Sequence, residues 1–340
     1  MKTKQIVFTE PNTAKLLDRE LSDELNPHDV AVQLAFSTIS TGTERANIMG
    51  DPNVNAFGAA GVSFPRSRGY SGAGTVMAVG SEVHSVRVGD RVAIFWGKHR
   101  SIQVLGESNV VKIEDDTVSL QAAAMSFIAS FPMAAIRKTR LEMGESAMVM
   151  GLGILGMIAV KLLRVAGAVP IIAVDPNSKR REMALKNGAD FAFDPFEKDF
   201  AEQVRKVTDG GVAVAIEVTG VGAGFNEALD CMAKFGRVAL LGCTRNSDFC
   251  VDYYRKIHAP GITVIGAHTI ARPESESHPG WFTHRDDIKA VLKLCAGGRL
   301  DLDGMIEETH TPYDCESVYE RLISNRDFPV VVQFDWRELS

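Results

Sequence analysis

The chain has 340 residues, of which 45% are hydrophobic and 24% charged, and its formal net charge is −6. This composition is ordinary for a globular protein and excludes a disordered chain. The acidic residues are scattered and no clustered basic face is visible, so we expect no nucleic-acid partner. The length exceeds what one hydrophobic core usually supports and predicts two domains.

The sequence carries no clear signal for export or membrane insertion. Residues 1–11 lack the continuous apolar core that a signal peptide needs. The longest apolar stretch, 122–136, is interrupted by two serines and by Pro132, and it falls short of the roughly 20 residues that span a bilayer. We therefore expect a cytoplasmic protein without a membrane partner.

The five cysteines form no C-x-x-C pair. An odd number without regular spacing favours reduced thiols over a disulfide framework or a metal knot. Because free cysteines are usually core residues, we expect most of them to be buried.

The first third of the chain predicts a β-rich domain. Short β-like runs alternate with turn signals such as Asn26-Pro27 and Gly89-Asp90. The predicted strands are 30–36, 74–79, 91–95, 101–104 and 110–113.

The pattern changes near Ser119, where apolar residues at helical spacing predict a helix over 122–137 with a kink at Pro132. Strand and helix then alternate, which predicts a parallel, doubly wound sheet. The predicted strands are 147–150, 170–174, 191–193, 212–218, 237–241 and 262–265, and the predicted helices are 156–167 and 178–187, the second capped by Gly188.

After Gly266 the pattern leaves the sheet. A loop rich in Pro, Ser and Gly is followed by a predicted helix over 285–295, and 330–334 is an apolar strand expected to return to the first domain. The predicted division is therefore a β-rich domain over 1–120, completed by 268–340, and a domain with a parallel sheet over 121–267.

A G-x-G-x-x-G motif occupies residues 151–156. It follows a predicted strand and opens an apolar helix, which is the context that a dinucleotide site requires. Gly151 permits the tight turn, Gly153 lets the backbone approach a pyrophosphate, and Gly156 lets the helix lie close to the sheet. Ile154 and Leu155 lie at the helix N-terminus, whose N–H groups favour phosphate.

An acidic residue at the end of the next strand completes this motif. The Asp175 carboxylate can accept hydrogen bonds from a ribose diol and would repel a 2′-phosphate, which favours NAD over NADP. Lys179 and Arg180 weaken this preference, because either could reach a phosphate, and Arg180 is included in the cofactor site. Thr219 and Gly242 complete the predicted cofactor-binding set.

The order of these parts resembles the medium-chain dehydrogenase/reductase superfamily, in which a GroES-like catalytic domain accompanies a Rossmann domain. The resemblance covers essentially the whole chain and includes a glycine-rich frame over 69–80, Gly-Asp-Arg-Val at 89–92 and Gly-Arg-Leu at 298–300. The segment 39–45 is similar to one in bacteriochlorophyllide dehydrogenases and in relatives of polyol and threonine dehydrogenases. This segment alone implies no pigment chemistry.

The chain departs from the zinc enzymes of this superfamily at the ligand positions. The resemblance places Thr41, Tyr70 and, approximately, Phe127 where zinc members carry their catalytic ligands. A hydroxyl, a phenol and a phenyl ring cannot replace thiolate, imidazole and carboxylate around zinc. The structural zinc lobe is also missing, because no cysteine precedes Cys231. We therefore expect no metal.

Without zinc, a protein group must act as acid or base toward the substrate oxygen. Thr43 matches the family position that relays the substrate proton. Glu44 matches an acidic position beside the zinc, and its alternative is a pair with Arg45 or Arg68. Tyr70 would point its hydroxyl into the cleft, or would merely fill the volume that the metal left.

Two histidines complete the catalytic candidates. His99 precedes a strand, and His268 follows the last sheet strand, where the resemblance places the nicotinamide ring. Each could equally be structural. Arg272 and Trp281, on the loop beyond, could line a polar substrate pocket.

These features predict an NAD-dependent oxidoreductase that interconverts a secondary alcohol and a ketone on a polar small molecule such as a polyol, cyclitol or sugar derivative. The alternatives are a zinc-free quinone or enoyl reductase, an NAD-retaining lyase or glycosidase that acts through a transient ketone, and a binding protein without turnover. By resemblance, pairing through the edge strand 262–265 predicts a homodimer.

Overall fold

A computed structural model describes residues 1–51, 53–54, 62–325 and 327–339. The chain divides into two units, Met1–Ile128 with Ile288–Ser340, and Ala129–Asp287. Two helices, α2 and α7, each begin in one unit and end in the other; they comprise Leu120–Thr139 and His284–Ala296.

The first unit consists mostly of antiparallel strands. Its strands are β1 (Lys2–Glu10), β2 (Thr13–Glu20), β3 (Asp29–Thr38), β4 (Arg66–Ser67), β5 (Ser71–Val79), β6 (Arg91–Phe95), β7 (Ile102–Gly106), β8 (Val110–Lys112), β15 (Glu308–His310) and β16 (Val332–Asp335). Its own helices are α1 (Thr41–Met49) and α8 (Cys315–Ser324). A three-stranded sheet has the order β2-β1-β4, and a second sheet has the order β15-β16-β3-β5-β6-β8, with β7 also paired to β3.

The late strand β16 pairs antiparallel with β3, with Phe334 opposite Ser37. The sequence prediction that this strand returns to the first domain is therefore confirmed. Tyr319, Phe334 and Trp336 are completely buried in the core that the early strands form, which explains why the chain returns.

The second unit is a parallel sheet with helices between its strands. The strands are β9 (Ala147–Met150), β10 (Ile171–Val174), β11 (Phe191–Phe193), β12 (Val212–Glu217), β13 (Met232–Leu240) and β14 (Thr263–Gly266). The helices are α3 (Ile154–Ala166), α4 (Ser178–Lys186), α5 (Phe200–Val207) and α6 (Gly222–Asp230). The strand order is β11-β10-β9-β12-β13-β14, which confirms the predicted doubly wound sheet and places β14 at its edge.

The division differs from the predicted one at both boundaries. The first unit extends to Ile128, and the segment 268–287 belongs to the second unit. The reason is polar packing of that segment: the Arg272 guanidinium donates to the Ser130 carbonyl oxygen at 3.1 Å and pairs with the Asp287 carboxylate at 3.2 Å.

Several local predictions need correction. The predicted helix over 122–137 is two residues longer at each end, and α2 continues through Pro132. The cap of α4 is Asn187, and Gly188 is the next residue, with a left-handed φ of 110°. Five free cysteines are present as expected, but only Cys231 and Cys315 are buried.

The helix α2 is also longer than the apolar stretch seen in the sequence. By length and composition alone, its 20 residues could cross a membrane. However, 83% of its apolar 18-residue segment is buried inside the protein. No other helix within the described part of the chain meets that criterion.

Candidate active site

The glycine-rich turn of the second unit lies between β9 and α3. Gly151 has a φ of 101°, which favours glycine, and a side chain on Gly156 would lie 1.8 Å from the Gly151 carbonyl oxygen. A Cβ on Gly153 would meet nothing within 4 Å. Gly153 also begins α3 without a side-chain cap. The turn is therefore tightly packed at Gly156 and has free space beside Gly153, where a pyrophosphate can approach the backbone.

Asp175 directly follows β10 and its side chain is held by backbone donors. One carboxylate oxygen accepts the Leu152 N–H at 2.8 Å and the other accepts the Asn177 N–H at 2.9 Å. Arg180 approaches this carboxylate at 3.9 Å. A carboxylate oxygen can accept further hydrogen bonds, so Asp175 can still receive a ribose hydroxyl.

A buried carboxylate, Glu217, supports the neighbouring loop, and the sequence reading missed it. It accepts hydrogen bonds from the Thr219 N–H at 2.8 Å, from the Thr219 hydroxyl and from the Gly220 N–H at 3.2 Å. Burial raises the pKa of Glu217, and these hydrogen bonds oppose the rise. Its position as the only charged residue at the end of the apolar strand β12 could have revealed it.

This loop reaches the glycine-rich turn. A Cβ on Gly151 would come within 3.0 Å of the Thr219 methyl group, and one on Gly242 would come within 2.4 Å of the Gly220 nitrogen. Close-packed backbone turns at the carboxyl ends of adjacent strands therefore hold four of the predicted cofactor residues, Gly151, Gly156, Thr219 and Gly242. Ligands bind at this edge of doubly wound sheets.

His268 follows β14 in the same unit. Its Nδ1 accepts the Ile270 N–H at 3.3 Å, which leaves the proton of the neutral imidazole on Nε2. Burial, Arg245 and Lys138 lower the pKa of His268. Its imidazole is therefore uncharged at neutral pH and can donate a hydrogen bond from Nε2.

The predicted role of Arg272 in lining a pocket is not supported, whereas Trp281 is 38% exposed and its role stays a prediction. The Arg272 side chain is 4% exposed and is engaged by Asp287, so it cannot line an open pocket. Trp281 packs its ring 4.5 Å from the Lys138 ammonium, which also donates to the Gly266 and Ala271 carbonyl oxygens. Burial, reinforced by the charge of Arg272, lowers the pKa of Lys138 to about 8.

In the first unit, the start of α1 meets Tyr70. The Tyr70 hydroxyl donates to the Ser40 hydroxyl, and Ser40 is the residue before the helix. Thr43 lies half-buried in the first turn, and its side-chain hydroxyl has no hydrogen-bond partner among the described residues, although its carbonyl accepts from Asn47 at 2.7 Å. Two side-chain hydroxyls, on Tyr70 and Thr43, are thus presented from this part of the unit.

Aromatic rings surround the Tyr70 side chain. The ring centroids of Tyr70 and Phe127 are 5.6 Å apart, and those of Trp96 and Phe127 are 4.9 Å apart. Trp96 is 42% exposed and has a φ of 59°, an uncommon backbone conformation for a bulky residue. The sequence reading missed Trp96, because nothing in the sequence indicates its backbone conformation.

The positions that the resemblance assigns to zinc ligands therefore come together, but they carry the wrong donors. Tyr70 and Phe127 are in contact, and Thr41 adjoins the residue that binds Tyr70. A phenol, a phenyl ring and a hydroxyl do not make a zinc site. Within the described ranges, no group of three or more His, Cys, Asp or Glu residues could hold a metal ion. The residues present do not fit zinc.

Glu44 and His99 lie beneath this site and are buried, at 0% and 1% exposure. They contact each other, Glu44 Oε2 lying 3.0 Å from His99 Nε2. Neither predicted alternative partner of Glu44 forms a hydrogen bond with it: Arg45 donates to the Ile323 carbonyl oxygen, and Arg68 donates to the Asn47 side chain. Groups so completely covered cannot touch a substrate in this conformation, so the direct proton-transfer role predicted for both is not supported.

Comparison with known proteins agrees with this architecture. The family model described as "Alcohol dehydrogenase GroES-like domain" matches residues 26–129, and "Zinc-binding dehydrogenase" matches residues 155–280. L-threonine 3-dehydrogenase of Pyrococcus abyssi is 27% identical over 296 residues, covering 78% of this chain and 81% of the relative. D-guloside 3-dehydrogenase of Escherichia coli K12 is 24% identical over 327 residues, covering 91% and 92%.

A solved structure also matches along nearly the whole chain. An alcohol dehydrogenase of Escherichia coli CFT073, complexed with the cofactor NADH, superposes with a TM-score of 0.82 at 17% identity and covers 98% of this chain and 99% of its own. At this identity the likeness establishes the fold.

The β-rich unit and the parallel-sheet unit with its glycine-rich turn define an oxidoreductase of the medium-chain dehydrogenase type. The chain belongs to the zinc-type, alcohol dehydrogenase-like part of the medium-chain dehydrogenase/reductase superfamily, as the sequence motifs predicted.

Proposed function

We propose that this enzyme interconverts a secondary alcohol and a ketone on a polar substrate, such as a polyol, cyclitol or sugar derivative, with NAD(H) and without zinc. One observation carries the proposal: Tyr70, at a position that the resemblance assigns to a zinc ligand, is hydrogen-bonded to Ser40 and packed against aromatic rings. A hydroxyl group therefore occupies the place of the Lewis acid.

The preference for NAD rests on Asp175. Its carboxylate is fixed by two backbone N–H groups, so it cannot turn away to admit a 2′-phosphate, which it would repel. Arg180 is 3.9 Å from this carboxylate and partly neutralises it. The similar NADH-bound alcohol dehydrogenase agrees with a nicotinamide cofactor.

The chemistry follows from the hydroxyl groups of the first unit. A nicotinamide cofactor, when bound, supplies or accepts the hydride. In ketone reduction, the Tyr70 Oη donates its proton to the substrate oxygen, and Thr43 donates a second hydrogen bond to that oxygen. For this transfer the Tyr70 O–H turns from Ser40 Oγ to the substrate oxygen, and the Ser40 hydroxyl then donates to Tyr70 Oη and stabilises the phenolate. The half-buried phenolate regains its proton from solvent. Alcohol oxidation reverses these transfers.

The polar character of the substrate has two supports. The site offers hydroxyl donors, which favour the binding of a substrate that carries oxygen atoms. The relatives named for D-guloside and L-threonine both act, by their names, at position 3 of polar molecules. The exposed Trp96 ring provides an apolar face on which the carbon skeleton of such a molecule can lie.

The test is a substrate panel with the metal controlled. The purified protein is dialysed against EDTA, its zinc content is measured, and NADH formation is followed with polyols, inositols and glycosides. Turnover that survives EDTA, and that is faster with NAD than with NADP, is the expected result. Turnover that disappears with EDTA and returns with zinc would refute zinc independence.

Two further outcomes of the panel bear on the reaction itself. No alcohol oxidation, with NADH-dependent reduction of enones or quinones instead, would replace the alcohol–ketone reaction by double-bond reduction. Faster turnover with NADP would refute the role given to Asp175 while leaving the alcohol–ketone reaction in place.

A further inference from the structure

A continuous set of buried hydrogen bonds lies beneath the start of α1. The Trp336 indole N–H donates to the Ser37 hydroxyl at 2.8 Å, and that hydroxyl lies 2.7 Å from His99 Nδ1. His99 Nε2 lies 3.0 Å from Glu44 Oε2, which also accepts from the Tyr319 hydroxyl. We call these five residues the buried chain.

Every member of the buried chain is almost inaccessible to solvent. The exposed fractions are 1% or less for each of them. Polar groups buried to this degree must be hydrogen-bonded to one another or the fold would be destabilised. Burial and the adjacent Glu44 carboxylate raise the pKa of Tyr319 well above its usual range, so its phenol remains a donor.

The other carboxylate oxygen of Glu44 connects this chain to the proposed acid/base group. Glu44 Oε1 accepts the Ser40 N–H at 2.8 Å, and the Ser40 N–H belongs to the residue whose hydroxyl receives the Tyr70 phenol. A backbone N–H does not relay protons, so this link transmits position and not a proton. His99 and Tyr319 fix Oε2, Oε1 fixes the Ser40 backbone, and Ser40 fixes Tyr70.

We propose that Glu44 is a positioning residue: held by His99 and Tyr319, it locks the Ser40 backbone and thereby orients the Tyr70 hydroxyl. This inference rests on the proposed role of Tyr70. It gives Glu44 and His99 a function that needs no contact with substrate. Tyr319, which is distant in the sequence, has the same function, because it also holds the Glu44 carboxylate.

The orientation of Tyr70 can be observed without measuring activity. The protein has five tyrosines, so uniform 3-fluorotyrosine labelling gives a small set of ¹⁹F resonances, and Tyr70→Phe identifies the Tyr70 signal. We expect Glu44→Ala to shift or broaden this signal and Glu44→Gln, which keeps an oxygen acceptor for the Ser40 N–H, to preserve it. An unchanged Tyr70 signal in Glu44→Ala would overturn the inference.

Kinetics on the best substrate of the panel provide the second readout. We expect Glu44→Ala to lower kcat at least tenfold with KM changed less than threefold, and Glu44→Gln to recover most of the loss. A double variant, Glu44→Ala with Tyr70→Phe, should match Tyr70→Phe alone within about twofold, because Glu44 acts only through Tyr70. Multiplying losses, or a Glu44→Gln variant as impaired as Glu44→Ala, would overturn the inference.

Two controls separate this result from simple loss of folding. Glu308 and His310 form a second His–carboxylate pair in the same unit, with a 2.7 Å separation and side chains 30% and 25% exposed. Glu308→Gln should change neither the ¹⁹F signal nor kcat. Tyr319→Phe, which keeps the ring packed at 4.9 Å from Phe8 but removes its hydroxyl, should move the Tyr70 signal even if Glu44→Ala does not fold.

The two hypotheses fail in different ways. If the wild-type protein oxidises no alcohol, the proposed function fails while the ¹⁹F signals still test the positioning of Tyr70. If turnover is found and the Tyr70 signal is indifferent to Glu44→Ala and Tyr319→Phe, the positioning inference fails and the proposed function stands.

Discussion

Gly153 and Gly156 belong to the same motif but differ in the space around them, and alanine at each should produce different defects. A Cβ on Gly156 would lie 1.8 Å from the backbone oxygen of Gly151, whereas one on Gly153 would meet nothing within 4 Å. Gly153 has φ −71° and ψ −169°, a conformation open to alanine. Gly156→Ala should therefore disturb the fold, and Gly153→Ala should disturb only a ligand in the cradle.

The magnitudes follow from these contacts. Real Cβ contacts essentially never fall under 3.0 Å, so Gly156→Ala must displace the Gly151 backbone by at least about 1.2 Å. Overpacking of this kind costs typically about 1–3 kcal/mol, and we expect about 3 because the obstacle is backbone. For a unit of this size that corresponds to a melting temperature lower by roughly 6–12 °C. Gly153→Ala should cost less than about 1 kcal/mol.

NADH binding should depend on the substitution that hardly affects stability, Gly153→Ala. The Gly153 methyl group would occupy the open side of the cradle, and we expect it to weaken NADH binding at least tenfold, or about 1.4 kcal/mol. The assay is a fluorescence titration of NADH beside thermal unfolding of the same samples. A Gly153→Ala variant that melts like the wild type and binds NADH within twofold of it would refute the placement of the pyrophosphate.

Three other substitutions test separate parts of the molecule. Tyr70→Phe should lower kcat by about 10²-fold or more while leaving the melting temperature unchanged, since a general acid contributes about 10²–10⁴-fold; a loss below fivefold would contradict its role. Asp287→Ala leaves the Arg272 guanidinium buried without its 3.2 Å partner and should cost about 3–5 kcal/mol in urea unfolding, and a cost under 1 kcal/mol would show that the pair is dispensable. Burial, followed by the charge of Arg272, lowers the pKa of His284 from 6.5 to about 3, so the unfolded chain binds the additional proton between these values and stability should fall as the pH drops from about 6.5 towards 3. His284→Gln should show a shallower acid limb than the wild type, and parallel limbs would contradict the shifted pKa.

The second unit was predictable from sequence because its signals are local. Short apolar runs such as Ala147–Met150 and Ile171–Val174 are completely buried, and the glycine motif lies directly between a strand and a helix. The helix α1 was not predicted, because it buries Glu44 and Asn47 beside Ile48 and thus has no apolar periodicity. Sequence patterns detect helices through apolar faces, and this helix is held by polar contacts.

The candidate site was predictable by residue type but not by role. Thr43, Glu44, Tyr70 and His99 were all selected, yet the partners that distinguish them are remote in the chain. Glu44 binds a histidine 55 residues away and a tyrosine 275 residues away. No spacing rule connects such residues, so the sequence could not separate the accessible hydroxyl groups from the buried chain that supports them.

The return of the chain to its first unit sets an order for biosynthesis. The stretch Ala129–Asp287 is synthesised without interruption, whereas the core of the first unit also needs residues from Ile288–Ser340. At a usual translation rate, the early strands wait roughly 10–40 s for the tryptophan and tyrosine that complete their core. Chaperones should therefore bind the nascent chain mainly through Met1–Ile128, the segment that is synthesised first.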